Sequence, residues 1–218
     1  CPRFAFEKFP GADPRLTTQM KSVGESLAMG RTFKEAFQKA LRALENGRIG
    51  WEVAPRLDDD RLPDESREAL AAAIRQPTPE RIFQVKRAMR AGFTDAELYA
   101  LSGIDWWFLG QLRELLAAED EYVASASVTP EMLRGMKSLG FSDAQLARLR
   151  GETEATVRER RWAMDIRPVF KMVDTCAGEF PSETPYLYST YDEETEAPRS
   201  GKKSVVILGS GPNRIGQG

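Results

Sequence analysis

The chain has 218 residues, 31 Lys and Arg against 33 Asp and Glu, two cysteines and no histidine. Nearly balanced charge excludes a global field that would gather nucleic acid or an anionic membrane, and no apolar run approaches the roughly 18 residues of a membrane span. The missing histidine removes His-based triads and His-containing metal sites, and two lone cysteines, Cys1 and Cys176, make no disulfide framework, which suits a cytoplasmic protein.

The first residues, CPRFAFEKFPG, alternate at Phe4 and Phe6 and predict a short strand, followed by turns at Pro10-Gly11 and Asp13-Pro14. A clear helix comes next. Thr32 and Glu35 form a capping box, Phe33, Phe37, Ala40, Leu41 and Leu44 share one face, and Gly47 is placed as the C′ residue. Arg48 to Arg61 reads as a loop ending in Asp58-Asp59-Asp60, three carboxylates that could ligate Mg²⁺ or Ca²⁺ but more simply form a solvated turn. Pro63 as an N1 residue predicts a further helix to about Arg75.

The middle of the chain contains an internal echo. Thr78-Pro79-Glu80 returns as Thr129-Pro130-Glu131, each pairing a capping threonine with proline at N1. The run from Arg90 to Leu98 returns as Ser138 to Leu146, with Gly92 or Gly140 ending one helix and Thr94 or Ser142 capping the next. Gly103 and Gly151 end the short second helices. Trp106 to Glu121 predicts a longer helix between the copies, with Leu109, Leu112, Leu115 and Leu116, helped by Phe108, facing inward. Trp106 lies off that stripe. It is a candidate interface residue, or else a ring lying over Gly110 or a single exposed aromatic.

The second copy also resembles a DNA-binding helix-turn-helix, with Arg158, Arg160 and Arg161 on its last helix. Against that, Ser142 to Arg167 holds six arginines and five acids, so a packed helical hairpin accounts for it better. Val169 to Val173 and Tyr186 to Tyr191 have strand composition, and Cys176 between them reads as a small structural residue. Asp192 to Lys203 is a polar linker. It leads to Val205-Val206-Ile207-Leu208, an apolar run that predicts a strand buried on both faces, and then to a loop rich in Gly209, Gly211, Gly216 and Gly218. The glycines give the wrong spacing for a dinucleotide fingerprint. A strand without neighbours, and Cys1 in place of methionine, predict a piece of something larger.

Three segments together carry a resemblance. RLTTQMKSVGESLAMGRT at Arg15–Thr32, VDTCAGEFPSETPYLYSTYDEE at Val173–Glu194 and SVVILGSGPNRIGQG at Ser204–Gly218 resemble, in order and spacing, the large subunit of carbamoyl phosphate synthetase where its two homologous halves join. Departures are Ser26-Leu27 for Val-Met, Ser210 for glycine, and Trp106 at a place usually polar. The resemblance implies a mainly α fold: a helical oligomerisation-type array flanked by short β pieces of the adjoining α/β ATP-grasp halves. It implies residues 1–30 as the tail of the first half, 31–196 as oligomerisation domain and connector, and 197–218 as the lead into the second half. The parent would make carbamoyl phosphate from bicarbonate, glutamine-derived ammonia and two ATP, with Mg²⁺ or Mn²⁺, for arginine and pyrimidine synthesis.

The same resemblance implies a glutaminase small subunit and further large subunits as partners, with no nucleic acid and no membrane. Its catalytic, nucleotide-binding and metal-binding residues fall outside this segment, so this piece is expected to be inactive alone. What it carries over is the last loop beside an internal tunnel, with Asn213, Arg214, Gly216 and Gly218 as tunnel-lining candidates. Asn213 and Arg214 could donate to an anionic carbamate; alternatively Arg214 pairs with a carboxylate and the glycines only shape the turn. The alternative function, from a different class, is a stand-alone helical DNA- or protein-binding module.

Overall fold

The computed structural model describes residues 1–52, 66–197, 201–203 and 205–209, and the backbone of 213–214. Eight helices lie among these residues: α1 (Phe33–Ala43), α2 (Arg67–Arg75), α3 (Arg81–Arg90), α4 (Asp95–Ser102), α5 (Trp106–Ala124), α6 (Pro130–Ser138), α7 (Asp143–Arg150) and α8 (Glu154–Ala163). The strands are short: β1 (Pro2–Arg3), β2 (Gly24–Glu25), β3 (Val169–Met172), β4 (Leu187–Thr190) and β5 (Asn213–Arg214). The fold is mainly α, as the sequence predicts.

The echo in the sequence is an echo in backbone geometry. After α3 the Gly92 N–H donates to Met89 O at 3.2 Å and the Phe93 N–H to Ala88 O at 3.0 Å. After α6 the Gly140 N–H donates to Lys137 O at 3.0 Å and the Phe141 N–H to Met136 O at 3.2 Å. Both are Schellman closures, with glycine at φ +81° and +90° and the following phenylalanine buried. Each second helix then opens with a reciprocal capping box, Thr94 with Glu97 and Ser142 with Gln145, and closes on a left-handed glycine, Gly103 or Gly151.

α5 is the spine on which these hairpins meet. It packs against α1, α4 and α7, while α2 covers α3 and α4 and α7 packs on α8. Leu109, Leu112, Leu115 and Leu116 are buried as expected, with Leu98, Leu133, Leu146 and Val157 around them. β3 and β4 form an antiparallel hairpin, Val169 opposite Thr190 and Met172 opposite Leu187. β1, β2 and β5 form a three-stranded antiparallel ribbon.

Several local expectations are corrected. Phe4–Phe6 is not a strand: pairing stops at Arg3, and Phe6–Lys8 turns into a 3₁₀ helix with Phe4 stacked on Phe6. The capping box at Thr32 is half made. Thr32 accepts from the Glu35 N–H, but the Glu35 carboxylate takes the Arg31 N–H and the Lys39 ammonium instead. α1 stops at Ala43 because Glu45 takes the left-handed conformation (φ +49°), so Gly47 lies beyond its end. α3 begins at Arg81, Thr78 and Pro79 forming a turn before it; only the second copy uses its threonine, Thr129, as the cap.

Val205–Leu208 also departs from expectation. No described segment pairs with it, its backbone is not a strand, and its side chains are 81–90% exposed. Without a neighbour to take its N–H and C=O groups, an apolar run has no ladder to join. Asp58-Asp59-Asp60, Pro63 and Ser210 lie outside the described residues.

Candidate assembly surface

Asp105 caps α5, its carboxylate accepting the Trp107 N–H at 2.9 Å, so Trp106, Trp107 and Phe108 all stand on the first turn. Three consecutive helical residues spread over about 200° of the axis, so one buried stripe cannot cover them all. The leucine stripe fixes the rotation, and Trp106, Trp107 and Phe108 remain 50%, 54% and 42% exposed. Phe108 therefore does not join the core, contrary to its predicted inward role.

These rings are organised. Phe33, at the start of α1, meets Trp107 and Phe108 edge-on at centroid distances of 5.3 and 5.2 Å. Phe33 also stacks on Phe37 at 5.5 Å, and Phe37 reaches buried Trp51 at 5.9 Å, so the exposed rings are rooted in the core. Trp106 stacks on Tyr99 of α4 at 5.1 Å, the planes 20° apart. It does not lie over Gly110, beside which a Cβ would meet nothing within 4 Å. Ion pairs border the patch: Lys34 with Glu114, and Arg113 Nε with Asp95 Oδ1 at 2.8 Å. An apolar area with a charged rim is the anatomy of a protein–protein contact.

Buried polar groups pin the helices to one another. Asp143 at the start of α7 accepts from Lys137 Nζ at 2.8 Å and from Arg161 Nη2 at 2.9 Å. Burial pushes the Asp143 carboxyl up, yet Arg161 and Lys137 outweigh it and its pKa falls below the usual carboxylate value. For Lys137 burial wins over Asp143, and its pKa falls to about 8. Lys86 and Arg90 share Glu119 of α5 in the same manner. Burial again lowers the Lys86 pKa despite Glu119 beside it. Gln38 Oε1 accepts the Trp51 N–H at 3.1 Å and Gln145 Nε2 at 2.8 Å, tying α1 to α7.

The arginines of the helix-turn-helix reading all have carboxylate partners within the chain. Arg158 pairs with Glu154, Arg160 with Glu152, and Arg161 is buried on Asp143. The Cys176 N–H donates to Asp174 in the turn between β3 and β4, and its thiol is free. Among the described residues no group of three or more His, Cys, Asp or Glu could hold a metal ion, and no helix is long and apolar enough to cross a membrane. Of the loop candidates, the Asn213–Arg214 backbone pairs with Gly24–Glu25, while Gly216 and Gly218 lie outside the described residues. Sequence reasoning missed Tyr99, Phe33 and Trp107. The last was legible, since no helix face buries three rings in succession together with the leucine stripe.

Comparison with known proteins agrees with this architecture. A family model described as the oligomerisation domain of the carbamoyl-phosphate synthetase large chain matches residues 25–165. Over the whole chain, the sequence is 66% identical to the carbamoyl phosphate synthase large chain of Gemmatimonas aurantiaca, 52% to that of Xylella fastidiosa and 51% to that of Nostoc sp.. The chain spans about one fifth of the length of these relatives, 20%, 20% and 19% respectively.

Proposed function

The chain belongs to the carbamoyl phosphate synthase large-chain family, and from that premise we propose that it serves as the assembly and connector segment of such an enzyme. The observation that carries this reading is the rooted aromatic face of Phe33, Trp107 and Phe108, adjoined by the Trp106–Tyr99 stack, on a helical array that the oligomerisation-domain match spans. Exposed rings gain by leaving water, and rings already held against the core lose little entropy in docking. On this reading the partner is another large chain, and Trp106 contributes beside Trp107.

The wider enzyme would be an ATP-dependent ligase making carbamoyl phosphate from bicarbonate, ammonia released from glutamine, and two ATP with Mg²⁺ or Mn²⁺. A glutaminase subunit would supply the ammonia. Residues 1–30 then close the first ATP-grasp half, 31–196 form the oligomerisation domain and connector, and 197–218 open the second half. Asn213, Arg214, Gly216 and Gly218 would line the passage for carbamate. The glycines would keep the wall free of side chains, and the guanidinium would meet a carboxylate-like anion. The backbone pairing of Asn213–Arg214 with Gly24–Glu25 brings this loop beside the residues assigned to the tail of the first half.

Sedimentation velocity over a wide concentration range tests the assembly reading. Concentration-dependent growth in mass, weakened by a charge placed in the aromatic face, is the expected result. A monomer at every concentration would overturn it. The nucleic-acid module is disfavoured by the pairing of Arg160 with Glu152 and the burial of Arg161 on Asp143.

A further inference from the structure

Residues 24–31 lie along α1 as a strap running in the opposite direction. The Ser26 hydroxyl donates to Ala40 O at 3.1 Å, and the Arg31 N–H donates to Glu35 Oε2 at 2.7 Å. Between them Gly30 comes so close that a Cβ there would stand 2.9 Å from Cβ and Cγ of Glu35. The strap begins with β2, whose residues pair with β1 on one side and β5 on the other. β4 reaches α1 from a distant part of the chain, Ser189 lying 150 residues beyond Lys39.

Lys39 stands where the strap and β4 meet. Its ammonium donates to Met29 O of the strap at 2.8 Å and to Ser189 O of β4, and it pairs with Glu35 Oε1 at 2.7 Å. An ammonium has three N–H donors, so the strap, α1 and β4 together take up its whole capacity. The Tyr188 ring centroid lies 5.7 Å from the same nitrogen. The side chains of Lys39 and Glu35 are only 19% and 1% exposed, so little water screens their attraction. A second tie between the same segments, Arg31 Nε to Asp192 Oδ2 at 3.4 Å, lies in solvent, where an ion pair contributes little. A buried pair adds little stability over apolar residues of its size, yet it tolerates few arrangements of the groups around it. That combination suits a part whose task is to fix geometry.

We propose that Lys39 is a positioning residue: with Glu35 it clasps residues 24–31 to β4, so that the segments flanking the helical array keep one relative position while an intermediate passes between the two halves of the enzyme. The clasp rests on the contacts of Lys39 alone, and its use in the reaction rests on the connector role proposed above. If the clasp opens, the strap and β4 are free to shift against each other. An intermediate lost between the halves is then ATP spent without product, although each half still turns over.

The test uses the native polypeptide that carries these residues. Lys39→Met removes the donors at similar volume, and Lys39→Met combined with Glu35→Gln also removes the carboxylate that would otherwise be buried alone. In both variants hydrogen exchange should quicken at least about tenfold in peptides covering residues 24–31 and 187–190 together, with α3 to α5 unchanged. With bicarbonate, ammonia and Mg-ATP, the ATP consumed per carbamoyl phosphate formed should rise at least about twofold while ATP consumption continues. Lys39→Arg should fall between the parent and Lys39→Met in both measurements, and Arg158→Gln should match the parent. Quickened exchange in one segment alone, or in neither, would overturn the clasp. Parental exchange in the double variant would overturn it too, since the effect would then belong to the unpaired Glu35. Faster exchange in both segments with an unchanged ATP ratio would leave a structural tie and overturn the positioning role. A parent that forms no carbamoyl phosphate would overturn the connector reading instead, and exchange would then decide the clasp by itself.

Discussion

Gly140 lies so close to Glu35 that a Cβ at residue 140 would stand 2.9 Å from both the Cα and the carbonyl oxygen of Glu35. At this point the closure of α6 presses backbone to backbone against α1, at a residue whose φ is +90°. Its counterpart in the first copy, Gly92, has φ +81° and open space around it. The same turn chemistry thus serves two different tertiary positions.

Gly140→Ala should therefore cost more than Gly92→Ala. The strain of a left-handed alanine applies to both, about 1 kcal/mol, whereas the overlap with Glu35 adds roughly 1–3 kcal/mol at Gly140 alone. Urea unfolding of the two variants measures the difference. Equal midpoints would mean that α1 moves away freely.

Asp143→Asn should destabilise the fold by about 3 kcal/mol or more, because it leaves Lys137 and Arg161 buried without their shared carboxylate. The Asp143 pKa is lowered on folding, so its contribution is present above the ordinary carboxylate range and is lost as pH falls through the folded value. The variant should lose less stability than the parent as pH falls below the ordinary aspartate value of about 4. Parallel acid titrations of unfolding free energy would refute this.

Lys137 acts in the alkaline range. Its folded pKa of about 8 lies below the unfolded 10.5, so between those values the unfolded chain binds more protons and stability rises with pH. In Lys137→Met that rise should flatten. Chemical denaturation at pH 7.5, 8.5 and 9.5 measures the slope, and an unchanged slope would show that Lys137 does not titrate there.

Trp107→Arg and Trp106→Arg should both weaken self-association while leaving helical circular dichroism intact, since both rings are half exposed and neither fills the core. Trp107→Arg should have the larger effect, because its ring adjoins Phe33 and Phe108 while Trp106 is covered on one face by Tyr99. Sedimentation of each variant decides it. Mass distributions identical to the parent's would remove both residues from the interface.

Binding of Mg-ATP by the 218-residue chain should be absent at micromolar concentrations, since phosphoryl transfer needs a phosphate cradle and metal carboxylates that the resemblance assigns to other parts of the enzyme. Calorimetry gives the answer directly, and a saturable micromolar isotherm would contradict the connector role.

The amino-acid sequence by itself determined the local parts: the caps at Thr94 and Ser142, the glycine closures at Gly92, Gly103, Gly140 and Gly151, the leucine stripe of α5, the strand character of β3 and β4 and, through three long motifs, the family. These follow from rules reaching over a few residues, such as which side chain can cap an N–H or which residue tolerates positive φ. Tertiary structure alone decided what the polar residues do. Glu35 reads as one half of a capping box but is turned to Arg31 and Lys39, and Arg161, whose partner the sequence does not name, is buried on Asp143. It also decided that Phe108 faces out beside Phe33. Charge pairing and exposure depend on which distant segments meet, and hydrophobic period alone carries no record of those partners.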